Sequence, residues 1–141
     1  MPTPPSHLRR ILVVDDEPGL RNLLQKFFTR HGYDVRTVAD GPAALAVLPT
    51  FQPQVVLLDV RMPGMSGMEV LARLHQEQPA IHVIMITAFD DEVIQEEARR
   101  LGAVDYLTKP FNLEYLSNTV LPKLAALAQT AEKSPEGTPQ G

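Results

Sequence analysis

Apolar residues fall into two kinds of run that take turns along the chain: short continuous stretches, and longer stretches spaced three to four residues apart. The continuous runs Ile11-Leu-Val-Val14 and Val55-Val-Leu-Leu58 have the character of parallel strands covered by helices on both faces. With three further runs they predict strands at 10–15, 33–38, 54–58, 81–86 and 104–107. Residues 33–38 alternate apolar with polar, which suits a strand nearer an edge.

The spaced runs predict helices. Leu20, Leu23, Leu24, Phe27 and Phe28 mark the first, with Pro18 suited to its first turn and Gly32 to the position after its end. Ala44, Val47 and Leu48 mark a short second helix, opened by Asp40-Gly-Pro42 and stopped before Pro53. Ser66-Gly-Met-Glu69 is a capping-box sequence opening the third, with Leu71 and Leu74 on its buried side. Asp90 and Asp91 place negative charge where the dipole of the fourth favours it; Ile94, Ala98 and Leu101 face inward and Gly102 ends it. Asn112 caps the fifth, whose inward stripe is Leu113, Leu116 and Val120.

Pro122 disturbs that last helix, since an interior proline removes a backbone bond and costs roughly 3 kcal/mol. Either the helix kinks there, or it stops near Leu121 and a new short helix runs from Pro122 through Leu127. The expected organisation is one domain over 9–127, with a disordered tail at 1–8 and a disordered tail or linker stub at 128–141. Strict strand–helix alternation implies right-handed crossovers. The expected fold is therefore α/β: a doubly wound, five-stranded parallel sheet of flavodoxin-like order 2-1-3-4-5.

Composition narrows the function. At 141 residues, 44% hydrophobic and 21% charged, the chain suits a single globular domain. No apolar run approaches the roughly 18–20 residues of a membrane span, and the N-terminus lacks the apolar region of a secretory leader. Cysteine is absent, which excludes thiol chemistry and fits a reducing compartment; the cytoplasm is the expected location. A net charge of −4 without a basic tract argues against direct nucleic-acid binding.

In open α/β sheets, ligands bind outside the carboxyl ends of the strands, where strand order reverses. The residues at those ends are Asp15-Asp16, Asp59, Thr87-Ala88 and Thr108-Lys109-Pro110. In the order 2-1-3-4-5 the first and third strands are neighbours at the reversal, so three carboxylates converge. At about 5 Å and an effective dielectric of ~20, each like-charge pair costs on the order of 3 kcal/mol. Such a site calls for a cation, and an all-oxygen ligand set favours a hard one such as Mg²⁺. A metal and a lysine beside an aspartate suit phosphoryl transfer with a carboxylate nucleophile.

Val14-Asp15-Asp16-Glu17, Leu57-Leu-Asp-Val-Arg-Met-Pro-Gly-Met-Ser-Gly67, Thr87-Ala88 and Lys109-Pro110-Phe111 together resemble the receiver-domain signature of two-component signalling, over roughly residues 9–127. The resemblance implies that Asp59 is the phosphoacceptor. It implies that Asp15, Asp16, Asp59 and the main-chain carbonyl of Arg61 hold Mg²⁺, with Mn²⁺ as a substitute. Lys109 would pair with the acceptor and then with the phosphoryl oxygens. Thr87 would bond the phosphoryl group, and Tyr106 would be the switch aromatic. A cis Lys109–Pro110 bond is implied as well. The donor would be a sensor histidine kinase or histidine phosphotransfer protein docking on the first helix. The face of the fourth helix, fifth strand and fifth helix would carry the output to a downstream protein. The chain would act as a monomer or a phosphorylation-dependent dimer, either stand-alone or as part of a longer regulator. It would be a switch and not an enzyme, catalysing only its own phosphorylation and slow dephosphorylation.

Ser66 stands where the family often has aspartate, and caps a helix comparably well. Arg61 and Phe89 occupy positions said to tune phosphoryl lifetime; their bulk implies a long-lived phosphate. A competing reading is a phosphohydrolase of the haloacid dehalogenase type, but the position where that family carries a second aspartate is Arg61, which cannot donate a proton. A degenerate receiver that binds without phosphorylation is a third. His7, His31, His75 and His82 lack metal-ligand spacing, and residues 64–67 lack the Gly-Lys ending of a phosphate-binding loop.

Overall fold

The computed structural model describes residues 9–88 and 92–133, the last five as helical backbone alone. Strands β1 (Arg10–Val14), β2 (Asp34–Val38), β3 (Val55–Asp59), β4 (His82–Thr87) and β5 (Asp105–Thr108) pair in parallel in the order β2-β1-β3-β4-β5. This is the order expected from the alternation of elements. The pleat sends successive side chains to opposite faces, and the two faces bury separate cores. Ile11, Val13, Val55, Leu57, Ile84, Ile86 and Leu107 pack on the side of α1 (Pro18–Arg30) and the C-terminal helices. Leu12, Val14, Val56, Leu58, Val83 and Met85 pack under α2 (Gly41–Phe51), α3 (Gly67–Glu77) and α4 (Glu92–Arg100). Both faces being covered explains why β1 and β3 read as continuous apolar runs.

Caps fix where the helices begin. Asp40 accepts from the Ala43 N–H at 2.8 Å to open α2. Ser66 and Glu69 form the reciprocal capping box of α3, with Ser66 Oγ accepting from Glu69 N–H and Glu69 Oε1 from Ser66 N–H. The α3 start lies hard against β3: a Cβ on Gly67 would collide with the Asp59 carbonyl oxygen and come within 2.9 Å of Val60 Cα. Asn112 caps α5 (Leu113–Tyr115) by accepting from Tyr115 N–H at 2.7 Å.

Three expectations change here. Pro122 does not stop its helix. A π-helical turn, Leu116–Val120, joins α5 to α6 (Leu121–Lys133), and the Leu121 N–H reaches back five residues to the Leu116 carbonyl. In an unbroken α-helix the Pro122 ring would press on the Asn118 carbonyl; the wider turn relieves that crowding. Helix also continues through 128–133, where a disordered tail or a linker stub was expected, and Ala128 at the start of that stretch is buried in the core. Leu113 is 60% exposed and does not join the inward stripe. It sits on the first turn at the rim of a shallow groove with Leu23 and Phe27, while Leu116, Val120, Leu124 and Ala128 fill the core. The expected tails at 1–8 and 134–141, and Phe89, Asp90, Asp91 and His7, lie outside the described residues.

Two predictions follow from this packing. Gly67→Ala drives a methyl group into backbone that cannot yield cheaply, so it lowers unfolding stability by about 2–3 kcal/mol, read from the urea midpoint; an unchanged midpoint would contradict the close approach. Burial holds the His82 pKa below its ordinary 6.5, so on acidification the unfolded chain takes up a proton first. The stability associated with His82 is full above about pH 6.5 and declines below it. The wild-type midpoint is expected to fall more steeply than that of His82→Gln between pH 7.5 and 5.5.

Candidate functional site

The strand ladder extends one step beyond the strands. Asp15 N–H donates to the Val38 carbonyl at 3.1 Å, Val60 N–H to Ile86 at 2.8 Å, and Lys109 N–H to Thr87 at 2.7 Å. These bonds carry the ordered ends of β1, β3, β4 and β5 to one edge of the sheet. By the same alternation that separates the cores, Asp15, Asp59 and Lys109 continue the α1 side. Thr87 and Tyr106 belong to the opposite side.

Asp15, Asp16 and Asp59 each offer a carboxylate oxygen, all within 4.8 Å of one another. Asp15 and Asp59 are buried and Asp16 is exposed. In both buried residues one oxygen is tied down by a main-chain N–H two residues on: Glu17 N–H donates to Asp15 Oδ1 at 2.8 Å, and Arg61 N–H to Asp59 Oδ1 at 3.3 Å. The other oxygens face Lys109, whose Nζ lies 3.1 Å from Asp15 Oδ2 and 3.5 Å from Asp59 Oδ2. The expected convergence is therefore present. The Lys109–Pro110 bond is cis, as the motif implies.

Electrostatics follow from this crowding. Burial, and then the charge of Asp15, push the Asp59 carboxyl up to about 7, against the pull of Lys109 and the Arg61 N–H. Burial draws the Lys109 ammonium down, but the hydrogen bond to Glu17 and the close carboxylates of Asp15 and Asp59 outweigh it, so the net shift is upward.

The residues fit a hard divalent cation. Asp15 Oδ2 is buried and, among the described residues, meets no hydrogen-bond donor in proper geometry; Lys109 Nζ stands close to it as an ion pair only. A buried carboxylate oxygen in that condition is costly, and it belongs to a donor set made wholly of oxygens. Oxygen ligands of this kind are what Mg²⁺ takes.

Thr87 is buried at the end of β4, in register with Thr108. Tyr106 is half-buried opposite Met85 and lines a hollow of about 60 Å³ with Ala98, Arg99 and Ala103, between α4 and β5. It lies on the α4 side and not among the carboxylates. The Arg61 side chain is exposed. Of the four histidines, His31, His75 and His82 are described and join no ligand cluster.

Two contributors escaped the sequence reading. Glu17 Oε1 accepts from Lys109 Nζ at 2.9 Å, closer than either aspartate. Arg21 Nη1 donates to the Asp15 carbonyl at 2.7 Å, fixing the turn that carries the acidic pair. Glu17 had a visible signal, a third acid in a row, whereas Arg21 reads as any polar residue on a helix.

Comparison with known proteins accords with this geometry. The model of the response regulator receiver domain matches residues 11–121. The chain is 37% identical over 111 residues to sporulation initiation phosphotransferase F of Bacillus subtilis, covering 79% of this chain and 90% of that protein. It is 43% identical over 104 residues to the alkaline phosphatase synthesis transcriptional regulatory protein PhoP of the same organism, covering 74% of this chain but only 43% of that protein. Among solved structures, a CheY-like receiver domain protein from Methanospirillum hungatei superposes with a TM-score of 0.78 at 27% identity, covering 88% of this chain and 98% of that one. TrrA from Thermotoga maritima, in complex with Mg²⁺–BeF, gives 0.71 at 34% identity over 82% and 98%. A matched sequence, a five-stranded sheet in the order 2-1-3-4-5 and an aspartate cluster at its carboxyl edge place this chain in the receiver-domain family of two-component response regulators.

Proposed function

We propose that the chain accepts a phosphoryl group on Asp59 from the phosphohistidine of a sensor histidine kinase or histidine phosphotransfer protein, in a Mg²⁺-dependent reaction. The observation that carries this reading is the Lys109 ammonium beside Asp59 Oδ2 at 3.5 Å, inside a trio of aspartates. An Asp59 oxygen forms the new bond to phosphorus as the bond from phosphorus to the imidazole nitrogen breaks, and that nitrogen keeps the electron pair. Asp15, Asp16, Asp59 and the Arg61 carbonyl would hold Mg²⁺, or Mn²⁺ in its place. The bound ion supplies positive charge against the phosphoryl oxygens. Lys109 supplies a second cation on the same side, and Thr87 donates its hydroxyl to a phosphoryl oxygen.

Output would run through α4, β5, α5 and α6. Tyr106 is the proposed switch aromatic on this face. Val104 stands exposed here, and Lys123 Nζ pairs with Asp105 Oδ2 at 2.9 Å, so a downstream protein or a second phosphorylated copy would meet an apolar spot beside an ion pair. The chain catalyses only its own phosphorylation and slow dephosphorylation, and bulk at Arg61 supports a long-lived phosphate. Among the described residues no helix is long and apolar enough to cross a membrane; with no cysteine in the chain, we assign it to the cytoplasm.

Incubation with acetyl phosphate and Mg²⁺ is expected to add one phosphoryl mass to the wild type and none to Asp59→Asn. Repeated turnover of a phosphomonoester would instead favour a hydrolase. The raised Asp59 pKa adds a pH dependence. In the metal-free fold Asp59 keeps its proton up to about 7, against an ordinary value of 3.8, so its contribution to stability falls as pH rises between those values. Mg²⁺ has to displace that proton, so the rise in melting temperature caused by millimolar Mg²⁺ is expected to be larger at pH 8 than at pH 6. Equal rises at both pH values would count against Asp59 as a ligand.

A further inference from the structure

Lys109 is surrounded by three carboxylate oxygens, and the nearest belongs to the residue without a role in the reading above. Glu17 Oε1 lies at 2.9 Å, Asp15 Oδ2 at 3.1 Å and Asp59 Oδ2 at 3.5 Å from the same Nζ. Of these contacts only the one with Glu17 is a hydrogen bond; Asp15 and Asp59 meet the ammonium as ion pairs. We propose that Glu17 is a positioning residue for phosphoryl transfer: its hydrogen bond pins the Lys109 ammonium within ion-pair distance of Asp15 and Asp59. The proposal rests on reading Asp59 as the acceptor and Lys109 as its cation.

The bland alternative is an ordinary surface ion pair, most of which contribute little. Two features separate this one. The lysine end is only 16% exposed although the glutamate end is 61% exposed, so the pair straddles the mouth of the pocket and does not wave in solvent. The Glu17 backbone is also fixed on both sides: its N–H donates to Asp15 Oδ1 at 2.8 Å, and its carbonyl accepts from Arg21 N–H at 3.1 Å as α1 begins. A glutamate with an anchored main chain can fix a lysine whose own four-carbon stem is flexible. Consistent with this, the hydrogen bond to Glu17 leads the effects that hold Lys109 protonated against burial. Glu17 and Lys109 stand together on one wall of a groove of about 710 Å³ that also includes Leu20, Leu23, Pro110 and Phe111. The pinned ammonium is therefore what a donor entering along that groove would meet.

The test compares wild type, Glu17→Ala and Glu17→Gln by two measurements on the full chain. Glutamine keeps an oxygen that can accept from Lys109 and loses only the charge. The first measurement is the ¹H–¹⁵N correlation of lysine ammonium groups in the metal-free protein at low temperature, with the Lys109 signal assigned through Lys109→Arg. It is expected in the wild type and in Glu17→Gln, and lost to exchange in Glu17→Ala. The second is single-turnover phosphorylation by acetyl phosphate with Mg²⁺, followed to donor saturation. The saturated rate constant is expected to fall about three- to fivefold in Glu17→Ala, as a partly exposed charged hydrogen bond allows, with glutamine recovering most of that loss. The half-saturating donor concentration should move little.

An ammonium signal and a rate unchanged in Glu17→Ala would overturn the proposal. So would glutamine as slow as alanine, or an effect confined to the half-saturating concentration, either of which would assign Glu17 to charge at the pocket mouth and not to pinning. A wild type that takes no phosphoryl group at all would bring down the functional reading and the positioning role with it, while the ammonium spectrum would still report whether the contact exists.

Discussion

Asp15 and Asp59 are held side by side, both buried, and their own charges push them apart. At about 5 Å and an effective dielectric near 20 that repulsion is on the order of 3 kcal/mol, so something other than attraction between the groups must keep them there. The sheet does it. β1 and β3 are the central pair, their side chains from residue 11 to 14 and from 55 to 59 buried, and the ladder runs on through the Asp15 N–H and the Val60 N–H. Spreading the carboxylates would mean breaking hydrogen bonds in the best-packed part of the molecule. The site is thus set before any ligand arrives, which is the arrangement that stabilises developing charge without reorganisation.

The pleat divides the work between two faces. Asp15, Asp59 and Lys109 continue the side that packs against α1, where Glu17 and the groove along Leu20 and Leu23 lie. Thr87 and Tyr106 continue the side that packs against α3 and α4, where the small hollow beside Ala98 lies. The two sides meet at the strand ends, where the Thr87 carbonyl accepts from the Lys109 N–H at 2.7 Å. A group arriving at Asp59 from the α1 side therefore sits one backbone bond away from residues on the face assigned to output.

Most of the fold was legible because burial writes itself into periodicity. β1 and β3 could be read from four-residue apolar runs, since strands covered on both faces have no polar positions to spare. The carboxylate convergence was legible too, but only through topology: Asp15 and Asp59 become neighbours once strand order is taken as 2-1-3-4-5. What escaped is what depends on geometry finer than order. Leu116, Val120, Leu124 and Ala128 are buried at strict four-residue spacing, which drifts about 40° per step in an α-helix. That spacing was the available sign of a π turn, yet Pro122 drew the reading toward a kink or a break. Leu113 fitted the periodic stripe but sits too near the helix start to be covered. Glu17 stood in the motif without a role of its own, and only the distance to Lys109 gives it one.

The chemistry of the cation at the centre follows from the same geometry. Asp15, Asp59 and Glu17 approach it from three directions. A guanidinium presents its donors in one plane, as a rigid fork suited to a single carboxylate or phosphate. It would satisfy one of these groups well and hold the others less closely. An ammonium is a compact charge whose three donors spread around one atom, and its long stem lets it reach the pocket from the end of β5. Lysine here balances acids that differ in exposure.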